Sequence, residues 1–169
     1  EFADGTPMTP EQLLRAVQSA WDSAGPRPLL VVTGGEPVIQ LLQPHGLEFL
    51  GMANRHGFAI AVETNGSVPI SPKLSAMLTH ITVSPKPLRD TPSSLNHIVV
   101  RAGHDLKVVA PNPFSEVDLR DLAQDFIHAF IQPMDQSDNG RLATEDAIAL
   151  AARLGWRVSF QTHKLAGLQ

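Results

Sequence analysis

Six short apolar runs punctuate this chain, and polar motifs sit at or just beyond five of them. The motifs are Thr33-Gly34-Gly35-Glu36-Pro37, Glu63-Thr64-Asn65-Gly66, Ser84-Pro85-Lys86, Gln132-Pro133-Met134-Asp135 and Gln161-Thr162-His163-Lys164. The first run, Leu29-Leu30-Val31-Val32, is too short for a helix and lacks polar alternation. It reads as a strand buried on both faces, as in parallel sheets. Phe58 to Val62, Ile81 to Val83, Leu106 to Val109, Ala129 to Ile131 and Val158 to Phe160 read the same way, with helical stretches near 45–56, 115–126 and 144–154 between several of them. The expected class is α/β with a parallel sheet. Carboxyl ends of parallel strands converge on one face, so the motifs are expected to build one site.

An additional helix is expected ahead of the first strand. Thr9-Pro10-Glu11-Gln12 has capping-box spacing, with Thr9 as cap and Pro10 at the first helical position. Leu13, Val17, Ala20, Trp21 and Ala24 form an apolar stripe, and Gly25-Pro26 predicts a stop near Ala24. Pro85 to Asn96 holds three prolines without apolar periodicity and is expected to be the long loop. No linker or repeat divides the 169 residues, so a single domain is expected.

Composition narrows the function classes. A net charge of -4 and scattered Lys and Arg residues give no basic face for direct contact with nucleic acid. No apolar run approaches the roughly 20 residues of a membrane span and no leader pattern precedes the first helix, so a cytoplasmic protein is expected. The chain has no cysteine, which excludes disulfides and thiolate ligands from these residues. The histidines show no zinc-type spacing, and Asp135, Asp138, Asn139 and Gly140 lack the spacing and closing Glu of a calcium loop.

Taken singly, each motif fits either a ligand contact or an ordinary turn. Gly34-Gly35 lets a ligand approach the backbone, and Glu36 offers a carboxylate suited to an ammonium group. Glu63 precedes the turn pair Asn65-Gly66 and should stand at a strand mouth. Ser84 and Lys86, separated by the stiff Pro85, suit a carboxylate or ribose. Gln132 and Asp135, flanking Pro133-Met134, offer an amide and a carboxylate to a ribose or purine edge. Gln161, His163 and Lys164 cluster after the last run.

In order, T-G-G-E-P, E-T-N-G, S-P-K, Q-P-M-D and the terminal Q-T-H-K-L-x-G resemble the 7-carboxy-7-deazaguanine synthase family, radical S-adenosylmethionine enzymes of queuosine-type deazapurine biosynthesis. The resemblance runs from about Thr9 to Gln169, and its most specific parts are Q-P-M-D and the ending. It implies a partial (β/α) barrel and ring contraction of 6-carboxy-5,6,7,8-tetrahydropterin to 7-carboxy-7-deazaguanine with loss of ammonia. It also implies S-adenosylmethionine, a [4Fe-4S] cluster, Mg2+, a homodimer and an electron donor such as flavodoxin or ferredoxin. Thr33, Gln161, His163 and the carboxylate of Gln169 would contact the pterin. Gly34, Gly35, Glu36, Glu63, Asn65, Ser84, Pro85, Lys86, Gln132, Pro133, Met134 and Asp135 would contact S-adenosylmethionine.

The family holds its cluster with a C-x-n-C-x-x-C loop after its first strand, which a cysteine-free chain cannot supply. The expectation is therefore an N-terminally truncated sequence missing that strand, the cluster loop and the magnesium site, inactive alone, with an unpaired strand edge. Two other readings stay open: a cluster-free S-adenosylmethionine or pterin binding module, and an acid–base enzyme using Glu63 and His163.

Overall fold

The computed structural model describes residues 6–21, 28–134 and 140–161. Local sequence sets the start of α1 (Pro10–Ala20) as expected: Gln12 N–H donates to Thr9 Oγ1 at 3.3 Å, and Thr9 N–H donates to Gln12 Oε1 at 2.8 Å. The helix stops short of Ala24, with Trp21 already extended at φ -97°, ψ 115°. Leu14 is the buried residue of this helix, while Leu13 and Trp21 are exposed. The stripe thus has little core to pack against, and propensity alone does not carry a short helix further.

The chain then runs β1 (Leu29–Val32), α2 (Pro37–Leu41), α3 (Pro44–Arg55), β2 (Ala59–Thr64), α4 (Pro72–Ser75), β3 (His80–Val83), β4 (Ala102–Ala110), α5 (Glu116–Leu122), β5 (Asp125–Pro133), α6 (Gly140–Leu154) and β6 (Arg157–Val158). Each strand pairs in parallel with the next, giving one sheet in the order β1-β2-β3-β4-β5-β6. Right-handed crossovers that always step in one direction keep their connections on one face, whereas a doubly wound sheet reverses. The architecture is that of a partial (β/α) barrel.

The two faces differ in chemistry. On the helix side, Ile60, Val62 and Leu30 pack with Phe49, Leu50 and Leu74, while Leu106, Val108 and Ile131 pack with Leu119, Ala147 and Ala151. The opposite face carries Glu63, Thr82, Asp105, Lys107 and Phe130, aligned by the registers Glu63↔Thr82, Thr82↔Asp105 and Lys107↔Phe130.

Sequence expectation and structure part at several elements. Among the described residues β1 is an edge strand rather than one buried on both faces. Leu30 and Val32 reach the core, but Leu29 and Val31 point the other way and keep 56% and 48% of their surface exposed. β4 and β5 extend well beyond their apolar centres, because half their residues face the polar side and interrupt the apolar pattern. α5 ends at Leu122 because β5 begins at Asp125. The short helices α2 and α4 were not expected; both open with proline at the first position, capped by Glu36 and Ser71.

The crossover from β3 to β4 contains no helix, as its prolines predict. Leu95, Ile98 and Val100 from this loop fill the core position a helix would take. The amides of Val99 and Val100 both donate to Gly66 O, at 2.8 and 3.1 Å. Gly66 has φ 81°, and a Cβ there would lie 2.8 Å from Val83 Cγ1 and 3.1 Å from Ile98 Cγ2. Both backbone conformation and space therefore require glycine at the tip of this turn.

Candidate functional site

The strand ends converge as the motif spacing predicts. A cavity of about 220 Å³ at the carboxyl end of the sheet is lined by Thr33 and Gly35 after β1, and by Glu63, Thr64 and Asn65 at the end of β2. Ser84 and Lys86 follow β3, Lys107 and Val109 lie on β4, Gln132 on β5, and Gln161 beyond β6. Among the described candidates, Gly34, Glu36, Pro85, Pro133 and Met134 stand outside this lining. Asp135, His163 and Gln169 lie outside the described residues.

The first wall is the turn after β1. Gly34 and Gly35 take φ of 94° and 56°, the left-handed region where a side chain would be strained, and this brings Gly35 to the cavity. Glu36 is half-buried, is not part of the lining, and is held by protein donors. Its Oε1 accepts from Thr64 Oγ1 at 2.6 Å and from Val38 N–H at 3.1 Å, and its Oε2 accepts from Asn65 N–H at 2.7 Å. Thr64, only 1% exposed, also accepts from Gly66 N–H at 3.0 Å.

The floor is charged. Lys107 Nζ donates to Glu63 Oε1 at 3.0 Å, in a pair whose side chains are 18% and 39% exposed. Lys86 Nζ donates to Ser84 Oγ at 3.2 Å. Ser84 and Pro85 are buried, while Lys86 emerges from them exposed. Crowding by the protein still holds the Lys86 ammonium below its ordinary value; the Lys107 cation adds to this, and the Glu63 carboxylate opposes it. His97 Nε2 meets Lys86 O at 2.9 Å, joining the start of the β3–β4 crossover to its later part.

A smaller cavity of about 170 Å³ lies against the same pair, lined by Glu63, Thr82, Asp105, Lys107, Phe130 and Ser159. Asp105 Oδ2 pairs with His80 Nε2 at 2.9 Å. The Glu63–Lys107 contact is common to both cavities.

Lys107 and Val109 line the site without having been singled out in the sequence, and Thr64 does so as a motif residue given no ligand role. Lys107 had a signal: a charge inside the run Leu106 to Val109, where an inward-facing position is the simplest way to keep it from the core. Val109 had none. Among the described residues, no group of three or more His, Asp or Glu is placed to hold a metal ion.

No protein-family profile matches the chain. Individual proteins do. It is 37% identical over 156 residues to the 7-carboxy-7-deazaguanine synthase of Burkholderia multivorans, covering 91% of this chain and 66% of the relative. Against the synthase of Caulobacter vibrioides it is 37% identical over 161 residues, covering 95% of this chain and 69% of the relative. Against that of Bordetella pertussis it is 33% identical over 157 residues, covering 92% and 67%. The chain thus spans about two thirds of the length of these relatives. Similarity of this extent takes in nearly all the strands that supply the cavity, and the chain belongs to the 7-carboxy-7-deazaguanine synthase family.

Proposed function

We propose that this chain forms the S-adenosylmethionine and pterin face of a radical S-adenosylmethionine lyase. The reaction is conversion of 6-carboxy-5,6,7,8-tetrahydropterin to 7-carboxy-7-deazaguanine with loss of ammonia, a step of queuosine and 7-deazapurine biosynthesis. The observation that carries this reading is the convergence of residues from all five motifs on one cavity.

The donor set suits the cofactor. S-adenosylmethionine joins a zwitterionic amino acid to a ribose and an adenine, so its site needs carboxylate, cation, hydroxyl and amide groups together. Glu63, Lys86, Ser84, Asn65 and Gln132 supply them around the cavity, and the turn at Gly34-Gly35 offers bare backbone to the methionyl group. Thr33 and Gln161, which also line the cavity, are the residues we assign to the pterin. The cofactor, once bound and reduced, supplies one-electron hydrogen abstraction; the chain binds, orients and shields the reactants.

A [4Fe-4S] cluster does not fit these residues, because it needs thiolates and the chain has none. In this reading the cluster ligands and the Mg2+ site come from outside these 169 residues. The working form would be a cytoplasmic homodimer reduced by a flavodoxin or ferredoxin, without direct contact to nucleic acid. Among the described residues, no helix is long and apolar enough to cross a membrane.

The test is anaerobic turnover by the complete protein after cluster reconstitution and chemical reduction, with mass detection of the ring-contracted product. Formation of 7-carboxy-7-deazaguanine is expected; its absence from a protein that holds its cluster overturns the proposal. The lack of cysteine favours a second reading, a cluster-free binding module. Coding sequence upstream of the Glu1 codon separates the two. Three closely spaced in-frame cysteines support the lyase, and a start codon there supports the module.

A further inference from the structure

We infer that Glu36 is a positioning residue, a carboxylate strut that locks the Gly34-Gly35 turn to the Thr64-Asn65 turn without itself touching the ligand. Its two oxygens accept three hydrogen bonds from the protein, at 2.6, 2.7 and 3.1 Å. A carboxylate offers about four acceptor sites, so little capacity is left for a ligand ammonium. The residue also stands outside the cavity lining, whereas both turns it joins supply lining residues.

The turn itself gives a strut its use. Among the described residues β1 pairs only with β2, so within this chain the turn that follows it has a described strand neighbour on one side. Two positive-φ glycines make that turn conformationally permissive. Glu36 fixes it from below: it caps α2 through Val38 N–H, and it grips the far turn through the Asn65 amide and the buried Thr64 hydroxyl. The Thr64 hydroxyl passes the link to Gly66 N–H, and Gly66 O holds the β3–β4 crossover. One carboxylate thus ties three loops of the cavity mouth together.

The inference deepens the proposed S-adenosylmethionine site, and its probes rest on that reading. The test uses the full-length protein and two ligands, S-adenosylmethionine and 5'-methylthioadenosine, which shares the nucleoside but lacks the amino-acid part. A strut shapes the whole mouth. Glu36→Ala and Thr64→Val are therefore each expected to weaken both ligands about tenfold, the effect of one charge-assisted hydrogen bond. The ratio of the two affinities should stay within about a factor of two, and the Val38 and Asn65 amides should exchange faster with solvent. Affinities are measured well below each variant's melting temperature, so a role in stability alone would leave them unchanged. The inference is overturned if Glu36→Ala weakens S-adenosylmethionine alone, or if Thr64→Val leaves both affinities intact. Should Glu36→Ala not fold, Glu36→Gln keeps the shape while turning an NH2 group toward a donor, and the same ratio decides. If the unmodified protein binds neither ligand, the proposed site fails, and exchange at Asn65 in the variants still decides whether the strut exists.

Discussion

The two halves of the cavity are built differently. β4 and β5 are nine residues each and pair at eight positions, and Leu106, Val108 and Ile131 from them are fully buried. β1 has four residues, pairs among the described residues at four positions on one side, and leaves Leu29 and Val31 exposed. The central half presents Lys107 and Gln132 from regular strand, while the edge half presents its backbone from a glycine turn braced by Glu36. Charged groups can stand on rigid strands because register sets their positions. A bare backbone surface needs a turn, and a turn built on two left-handed glycines needs a brace.

That contrast can be broken experimentally. Leu106→Ala should cost about 3–4 kcal/mol in urea unfolding, since it empties a fully buried position between β3 and β5. Leu29→Ser should change stability by no more than about 0.5 kcal/mol, as expected for an exposed position. Equal losses at both sites would show that β1 is as buried as the central strands and that the comparison is mistaken.

Gly66→Ala comes next. A left-handed conformation costs a side chain about 1–2 kcal/mol, and contact with the buried Val83 raises the loss to about 2–3 kcal/mol. The same variant should speed amide exchange at Val99 and Val100, whose acceptor is Gly66 O. Unchanged melting would mean that the turn does not hold the crossover.

The Glu63–Lys107 pair should contribute less. Both side chains remain partly exposed, so a double-mutant cycle with Glu63→Gln and Lys107→Met should return a coupling below about 1 kcal/mol, shrinking as salt is added. A larger, salt-independent coupling would place the pair in a much drier site than its exposure indicates.

The smallest effect concerns Lys86 and is read from its pH dependence. Its folded value lies below the ordinary 10.5, chiefly through partial desolvation by the protein around its ammonium and then through Lys107, so the unfolded chain binds this proton more readily. The charged form therefore weakens the fold below the folded value, and that penalty is relieved as pH rises through it toward 10.5. Lys86→Met should melt slightly higher than the unmodified protein at neutral pH, and the difference should narrow as the solution becomes alkaline. A gap that widens with pH would mean a raised value instead.

Legibility in the sequence followed the range of the interactions. Thr9 and Gln12 are three residues apart, and their reciprocal caps form as the spacing implies. The apolar run of β1 is matched residue for residue, and the other strands contain or overlap the runs that announced them. The site was legible as a set of strand ends but not as a set of orientations. Glu36 looked like a ligand group on sequence and is held by protein donors, whereas Lys107 looked like an interruption in a strand and lines the cavity.

The sequence alone determined that the chain alternates strand and helix, that its strands run parallel, and that its polar motifs meet at their carboxyl ends. Apolar periodicity and turn chemistry are local, so they can be read within a few residues. The tertiary structure alone decided which face of β1 stays open, which carboxylate is spent inside the protein, and which cation holds Glu63. The contacts responsible join residues 28, 29 and 44 positions apart. They depend on how neighbouring strands align in the sheet, which no local pattern encodes.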